Sequence, residues 1–319
     1  MDIRDNPGTD FRWDVARACP QATFYHTPLW HEVAANASVF HRDRAVGAVL
    51  DNGTRVVVPL LERRQKVLGK FVSTFAGCYG GPIADGPVPP DDAKALLRHI
   101  LDRKGKTFTF VTNPLADDVP MPDLDQAEVE DDFTHILTLD RDLDAIVSDY
   151  SRGHRSSLKK GRREGVTVNC ATTLDEYRLY FEAYQASLER WGQSPSDGYD
   201  WSLFKALHAL AEEHPDTITL WLARVEGNVA SGALIFSWND HVSYWHGAAH
   251  EEYFDHRPNN VLHTDIIDAA IAEGYRYYDF NPSGGYSGVE RFKSRFGAET
   301  WPIRRITYTH SVREAVFGS

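Results

Sequence analysis

Apolar and polar positions along the chain repeat with two different periods, and the changes of period mark out the elements. In the first half, AVGAVLDNGTRVVVPLLERR sets two β-branched runs around Asp51-Asn52-Gly53. Asn-Gly supplies the positive φ angles of a tight turn, so this stretch predicts a hairpin. FVSTFAGCYGGPIADG predicts a strand leaving into a loop whose glycines allow a close approach of the backbone. After Pro89-Pro90, DDAKALLRHILDRKG has an acidic start and a Gly just past its end, the punctuation of a helix. TFTFVTNP and FTHILTLD alternate as strands, and the acidic, apolar-poor ADDVPMPDLDQAEVEDD between them is expected to be an exposed loop. The first half therefore reads as helix, hairpin, strand, helix, strand, strand.

The second half repeats this grammar. TLDEYRLYFEAYQASLERWG and YDWSLFKALHALAEEHPD carry apolar residues at three- and four-residue intervals and predict amphipathic helices. TITLWLARVEGNVASGALIFSWNDHVSYWHGAAH, with turn signals at Glu226-Gly227-Asn228 and Asn239-Asp240, predicts a three-stranded antiparallel meander. RPNNVLHTDIIDAAIAEGY should be helical from about Asn259 and stop at Gly274. The strand RYYDFN follows, and the tail TWPIRRITYTHSVREAVFGS is expected to add a last strand and a helix packing back on the first half.

Composition narrows the picture. A chain of 319 residues exceeds the usual size of one hydrophobic core, so two domains of roughly 150 residues are expected. Its 42% hydrophobic and 25% charged residues are those of a globular protein rather than a fibrous or disordered one. The start, MDIRDNPGTDFRWDV, has no apolar core of a secretory signal, and no stretch approaches the roughly 20 apolar residues that span a bilayer. A cytoplasmic location is the expectation. Cys19, Cys78 and Cys170 are odd in number and far apart, which fits reduced thiols better than disulfides or a metal site, and no metal is expected. A net charge of -12 argues against bulk attraction to nucleic acid, so any such contact must be local. Arg152, His154, Arg155, Lys159, Lys160, Arg162 and Arg163 form the one basic run, with no acid until Glu164. It is either a polyanion contact or a solvated helix face.

Helices, a meander, then a helix and a further strand is the order of the GNAT acyltransferase fold, with an abbreviated version in the first half. The fold class is thus α/β with a mixed sheet, in tandem GNAT-like domains at 1–140 and 141–305, followed by a tail at 306–319. Six segments in order, FYHTPLW, GHRSSLKKGRREGV, SLERWG, PNNVLHTDIIDAAIAEG, YYDFNPSG and VERFKSRFGAE, resemble the Fem and FemX-like transferases and the broader BioF2-like acetyltransferase group. The resemblance implies transfer of an activated acyl group to an amine. In the Fem branch the donor is aminoacyl-tRNA and the acceptor a peptide or nucleotide-linked amine, in cell-wall or peptide-antibiotic assembly. In the acetyltransferase branch the donor is acyl-CoA, with roles in polysaccharide or secondary-metabolite assembly. A third reading is a degenerate pair that only binds a ligand. Where a CoA-dependent enzyme carries a glycine-rich pyrophosphate loop, this chain reads HEEYFDHRPNNVL, with Pro258 lacking a donor and acids nearby, which favours the tRNA ester and no tightly bound cofactor.

Aminolysis of an ester needs a neutral amine, a partner for the tetrahedral oxyanion and placement of both reactants. No Ser-His-Asp set is evident, so direct attack is the simpler route. The Fem pattern puts Phe292-Lys293 at the reacting end of the donor, where the ammonium neutralises developing charge; otherwise Lys293 is a surface lysine. Asp279, at the end of a strand opening into Asn281-Pro282-Ser283-Gly284-Gly285, is placed to take a proton or orient the amine, or else to satisfy turn amides. Tyr244 and His246 are expected on one face of a cleft-lining strand, His246 as base or as core histidine and Tyr244 as an acceptor contact. The family pattern gives Arg190 a grip on the acceptor, against simple compensation of a helix C-terminus. Arg155 and Lys159, a turn apart, together with Arg162, are candidates for donor phosphates. Asn260 caps a helix or touches substrate, and Asn281 is grouped with the substrate contacts.

Overall fold

The computed structural model describes residues 1–37, 41–63, 69–102, 107–116, 127–193 and 198–309. It divides into two compact units, Met1–Phe133 with Trp301–Ser319, and Thr134–Thr300. The first contains β1 (Asp2–Asp5), α1 (Thr9–Ala18), a 3-10 turn (Phe24–His26), α2 (Pro28–Ala37), β2 (His41–Asp43), β3 (Val46–Val49), β4 (Arg55–Val58), β5 (Leu61–Arg63), β6 (Lys70–Val72), β7 (Ile83–Ala84), α3 (Pro90–Leu101) and β8 (Thr107–Val111). The long strand β9 (Ala127–Thr138) begins in the first unit and ends in the second.

The predicted hairpin is β3–β4, with Gly53 at φ 86° and the Thr54 N–H held by Asn52 Oδ1 at 3.0 Å. It joins the antiparallel ladder β1-β3-β4-β7. α3 has proline at its start and acids in its first turn, as its sequence predicts, and buries Leu96, Leu97, Ile100 and Leu101 against Phe71, Phe108 and Phe110. The glycine loop does make a close approach: a Cβ on Gly80 would stand 2.6 Å from the Ser73 carbonyl oxygen. The FYHTPLW segment turns out to be structural. His26 Nδ1 accepts from the Thr23 amide at 3.1 Å, Trp30 donates to Thr74 Oγ1 at 3.1 Å, and Phe24, Tyr25 and Trp30 pack edge to face.

The acidic loop expected before FTHILTLD requires a correction. Residues 117–126 lie outside the described residues, but Ala127–Asp132 is strand, the exposed start of β9. Asp131 and Glu130 stand 3.5 Å from Arg304 and Arg305, so opposite charges offset the repulsion that a polar run suggests.

The second unit continues with α4 (Leu143–Asp149), α5 (Arg152–Arg163), β10 (Thr167–Cys170), α6 (Leu174–Arg190), α7 (Trp201–Glu213), β11 (Ile218–Val225), β12 (Asn228–Trp238), β13 (His241–Ala249), a 3-10 turn (Glu251–His256), α8 (Pro258–Ala272), β14 (Tyr277–Asp279) and α9 (Ser287–Ser294). β15 (Glu299–Thr309) leads back to the first unit, and the helix expected after it lies outside the described residues. The meander forms as predicted, with Glu226, Gly227 and Asn239 at positive φ in its turns. Strand order in this unit is β10-β11-β12-β13-β14-β9, with β13 and β14 parallel. α6 and α7 cover one face and α8 the other, the latter burying Val261, Leu262, Ile266 and Ile267 in one core with Ile235, Val242, Tyr278 and Phe296. Among the described residues no helix is long and apolar enough to cross a membrane.

Candidate active site

The parallel pair at the centre of the second unit is short. Only His241↔Tyr277, Val242↔Tyr278 and Ser243↔Asp279 are in register, after which β14 ends while β13 runs on to Ala249. The strands part at this point. A β-bulge makes the departure sharper, because Ile235 faces Tyr244 and Leu234 faces His246, leaving Trp245 as the extra residue. Tyr244 and His246 therefore do not share a face, contrary to simple alternation. Tyr244 turns to the α8 side, against His263 and Phe280, while His246 turns to the α6 side. Gly247 is required here, since its Cβ would fall 1.8 Å from the Tyr244 hydroxyl.

A buried network closes the vertex of the opening. Asp279 is 0% exposed. Its Oδ1 accepts from Thr134 Oγ1 at 2.6 Å and the Asn281 amide at 2.7 Å, and its Oδ2 lies 3.0 Å from His241 Nε2. With both oxygens committed to protein groups, this carboxylate positions the loop rather than opening toward a substrate. Asn281, held at φ 57°, donates through Nδ2 to Ser243 Oγ at 2.9 Å and the Tyr244 carbonyl at 2.8 Å. Its own carbonyl accepts from Lys293 Nζ at 2.6 Å, and that of Pro282 does so at 3.2 Å. Lys293 is thus buried in the splay and is no surface lysine. Its charge is felt locally. Burial first, and the Lys293 ammonium second, push the pKa of His263 down to about 3 and that of His135 below its usual value.

The wall on the α6 side is aromatic. His246 sits among Tyr184, Tyr199, Phe204 and Trp245, with ring centroids 4.6 to 5.9 Å away. Its Nδ1 is 2.6 Å from the Tyr180 hydroxyl, which also donates to the His246 carbonyl at 3.0 Å. Tyr180 has one proton, so satisfying both contacts puts a proton on Nδ1 and leaves Nε2 as an acceptor. Burial lowers this imidazole to about 4, so it accepts hydrogen bonds at neutral pH while being a weak base.

The remaining candidates are spread around this centre. Phe292 packs on His154, His263 and Phe296. Arg190 donates to the Ala249 carbonyl at 3.0 Å and lies over Trp191 and Phe254, tying α6 to the end of β13. Asn260, in the first turn of α8, is buried and its Nδ2 has no hydrogen-bond partner among the described residues. The basic run is a helix, α5, but much of its charge is used internally. Arg155 donates to the carbonyls of Ser148 and Tyr150, and Arg162 pairs with Asp265, while Lys159 is exposed. Gly161 lets α5 press against the start of α8, since its Cβ would meet Val261 at 2.5 Å and the His256 carbonyl at 3.1 Å.

Residues that the sequence did not single out complete the site: Thr134, His241 and Ser243 in the network, Tyr180 behind His246, and Ser283, whose buried Oγ has no partner among the described residues. Their alignment depends on strand pairing across the unit, which local sequence does not reveal. Ser283 alone carried a signal, as part of the loop following Asp279.

A bulged meander strand parting from a short parallel neighbour is the central feature of a GNAT fold. Residues 148–294 match the family model described as acetyltransferase (GNAT) domain. The chain carries a GNAT domain and is an acyltransferase. FemX matches with a TM-score of 0.72 at 13% identity, covering 100% of both chains. The C-terminal (DUF2156) domain of a putative lysylphosphatidylglycerol synthetase from Agrobacterium fabrum matches with a TM-score of 0.59 at 11% identity, over 97% of this chain and 93% of that one. A tandem GNAT protein from the clavulanic acid biosynthesis pathway matches with a TM-score of 0.53 at 13% identity, over 97% and 99%. At such identities the likeness is one of fold, a tandem GNAT-like architecture along the whole chain. No curated protein matches the chain in sequence.

Proposed function

We propose that this acyltransferase moves an aminoacyl group from an aminoacyl-tRNA ester to the amine of a peptide or nucleotide-linked acceptor bound in the splay between β13 and β14. The observation that carries the donor choice is the connection from β13 to α8. In a CoA-dependent site this turn offers a run of backbone N–H groups to a pyrophosphate. Here Pro258 has no N–H, the Asn260 N–H donates to the Arg257 carbonyl at 3.2 Å, and Glu251, Glu252 and Asp255 precede the helix on an exposed turn. Such a terminus is poorly equipped to hold a dianion. The similarity in fold to the C-terminal domain of a putative lysylphosphatidylglycerol synthetase is consistent with an aminoacyl donor.

In this reading the acceptor nitrogen attacks the ester carbonyl carbon. The new C–N bond forms, the C–O bond to the terminal ribose breaks, and the proton lost by the amine ends on the ribose oxygen. His246 Nε2 accepts a hydrogen bond from the neutral amine and aims its lone pair, without removing the proton. The Lys293 charge, fixed at the vertex by the Asn281 and Pro282 carbonyls, stabilises the oxyanion. Asp279 acts through Asn281 as a positioning residue.

A second reading, acyl-CoA-dependent N-acylation, is favoured by the description of the matching family model. The test offers labelled aminoacyl-tRNA and, separately, labelled acetyl-CoA, each with a panel of amine acceptors that includes cell-wall precursors and free peptides. RNase-sensitive transfer is expected. Transfer from acetyl-CoA alone would replace the proposal with the second reading.

A further inference from the structure

The cations of α5 and α9 divide into those already used and those left free. On α5, Arg155 is taken by two backbone carbonyls, Lys160 lies 3.7 Å from Glu164, and Arg162 pairs with Asp265. Arg152, Lys159 and Arg163 are exposed and make no ion pair or side-chain hydrogen bond among the described residues. At 3.6 residues per turn these three fall within about 20° of one line, spread over about 16 Å of helix. The paired cations flank this stripe, Arg155 and Arg162 on one side and Lys160 on the other.

α9 adds Arg291 and Arg295, one turn apart and likewise exposed and unpaired among the described residues. Its end is fastened to the start of α5. The Ser151 amide donates to the Arg295 carbonyl at 2.9 Å, and His154 packs on Phe292 and Phe296. Both sets of cations therefore meet at one junction. The chain as a whole is acidic, with 46 Asp and Glu against 34 Lys and Arg, so acids to pair with are not in short supply. Lys159 with Arg163, and Arg291 with Arg295, are instead like-charge pairs four residues apart, an arrangement that destabilises a helix on its own. The buried face of α9 holds Lys293 at the vertex of the splay, and the loop from that vertex into α9 carries Tyr286, which is 63% exposed.

We infer that the five free cations and Tyr286 form a docking surface for RNA, with backbone phosphates on Arg291, Arg295, Arg152, Lys159 and Arg163 and an unpaired base stacked on Tyr286. The choice of occupant rests on the aminoacyl-tRNA donor proposed above, whose unpaired 3′ end must reach the Lys293 vertex. An anionic membrane fits less well. The α5 stripe has no apolar flank to insert into lipid, since Leu158 is packed into the core of the second unit.

The test is fluorescence anisotropy of fluorescein-labelled bulk tRNA titrated with the full chain over a series of salt concentrations, with phosphatidylglycerol vesicles titrated in parallel. Five contacts predict that log K falls with log salt at a slope of about −3 to −4. The double variants Arg152→Glu/Arg163→Glu and Arg291→Glu/Arg295→Glu should each weaken tRNA binding at least tenfold and flatten the slope by about 1.5. Tyr286→Ala should weaken it about tenfold with the slope unchanged, because stacking releases no counterions. Lys205→Glu, an exposed cation on α7, controls for net charge and should bind as the parent does. Circular dichroism checks that each variant is folded. The inference is overturned if the parent binds no tRNA, if both double variants bind it as the parent does, or if the variants lose binding to the vesicles alone. RNase-sensitive transfer by the parent together with unaltered tRNA affinity in both double variants overturns this surface and leaves the donor proposal standing. Loss of tRNA affinity in the double variants of a protein that transfers only from acetyl-CoA supports the surface and removes the donor proposal.

Discussion

Three histidines of the second unit, His263 and His154 buried and His246 partly buried, are held in the neutral form, and acidification should expose this. His263, His154 and His246 are lowered to about 3, 4 and 4, in each case chiefly by burial. His263 packs between Tyr244 and Phe280, and His154 against Phe292 and Phe296, so protonating either puts a charge among aromatic rings. A histidine in the unfolded chain titrates near 6.5, so between that value and the folded pKa the unfolded state binds more protons. Stability is therefore complete above about pH 6.5 and falls as pH is lowered toward 4. At pH 5 each group costs about 2 kcal/mol, and three together about 6, against a total near 5–15 for a domain. The assay is urea unfolding at pH 7 and pH 5, with histidine-resolved NMR titration to assign the source. Lys293→Met should raise the pKa of His263, because the lysine is the second cause of its depression. Equal stability at the two pH values, or imidazoles that titrate near 6.5 in the folded protein, would refute the reasoning.

Lys293→Ala should reduce turnover by about 10²–10³, the cost of one oxyanion partner, with circular dichroism unchanged; near-normal rates would remove it from the chemistry. Asp279→Asn keeps the shape but weakens the hold on Thr134 and the Asn281 amide, so it should lower turnover more than acceptor affinity and cost about 1–3 kcal/mol of stability. Gly247→Ala forces the Tyr244 ring out of place and should abolish acceptor use while the first unit melts unchanged. If α5 touches a polyanionic donor, Lys159→Glu should weaken donor binding and reduce its salt slope; donor affinity equal to that of the parent would show that this face is only solvated.

Elements with their own punctuation were legible in the sequence. The Asn-Gly hairpin, α3 with its acidic start after Pro89-Pro90, α6 with its three- and four-residue apolar spacing, and α8 ending before Gly274 all formed near their predicted limits. β10 and the acidic start of β9 were not, because each is specified by a partner strand distant in sequence rather than by its own pattern. The short α9 was likewise hidden within the VERFKSRFGAE signature, although that signature put Lys293 among the residues of interest.

At the site, residue types were visible but their geometry was not. Strict alternation along VSYWHGAA puts Tyr244 and His246 together, and one extra residue at Trp245 separates them. That single bulge assigns Tyr244 to the α8 side and His246 to the aromatic wall, so the two sides of the splay acquire different chemistry. The same opening needs its strands held apart at a fixed point, and Asp279 does this by fixing Asn281, which bridges to Ser243 and Tyr244 and carries Lys293 on its carbonyl. A carboxylate chosen from sequence as a proton acceptor thus gains its effect on chemistry through a backbone amide. Turnover in Asp279→Asn should consequently keep the pH dependence of the parent while its rate falls, whereas a direct proton acceptor at this position would take the profile with it.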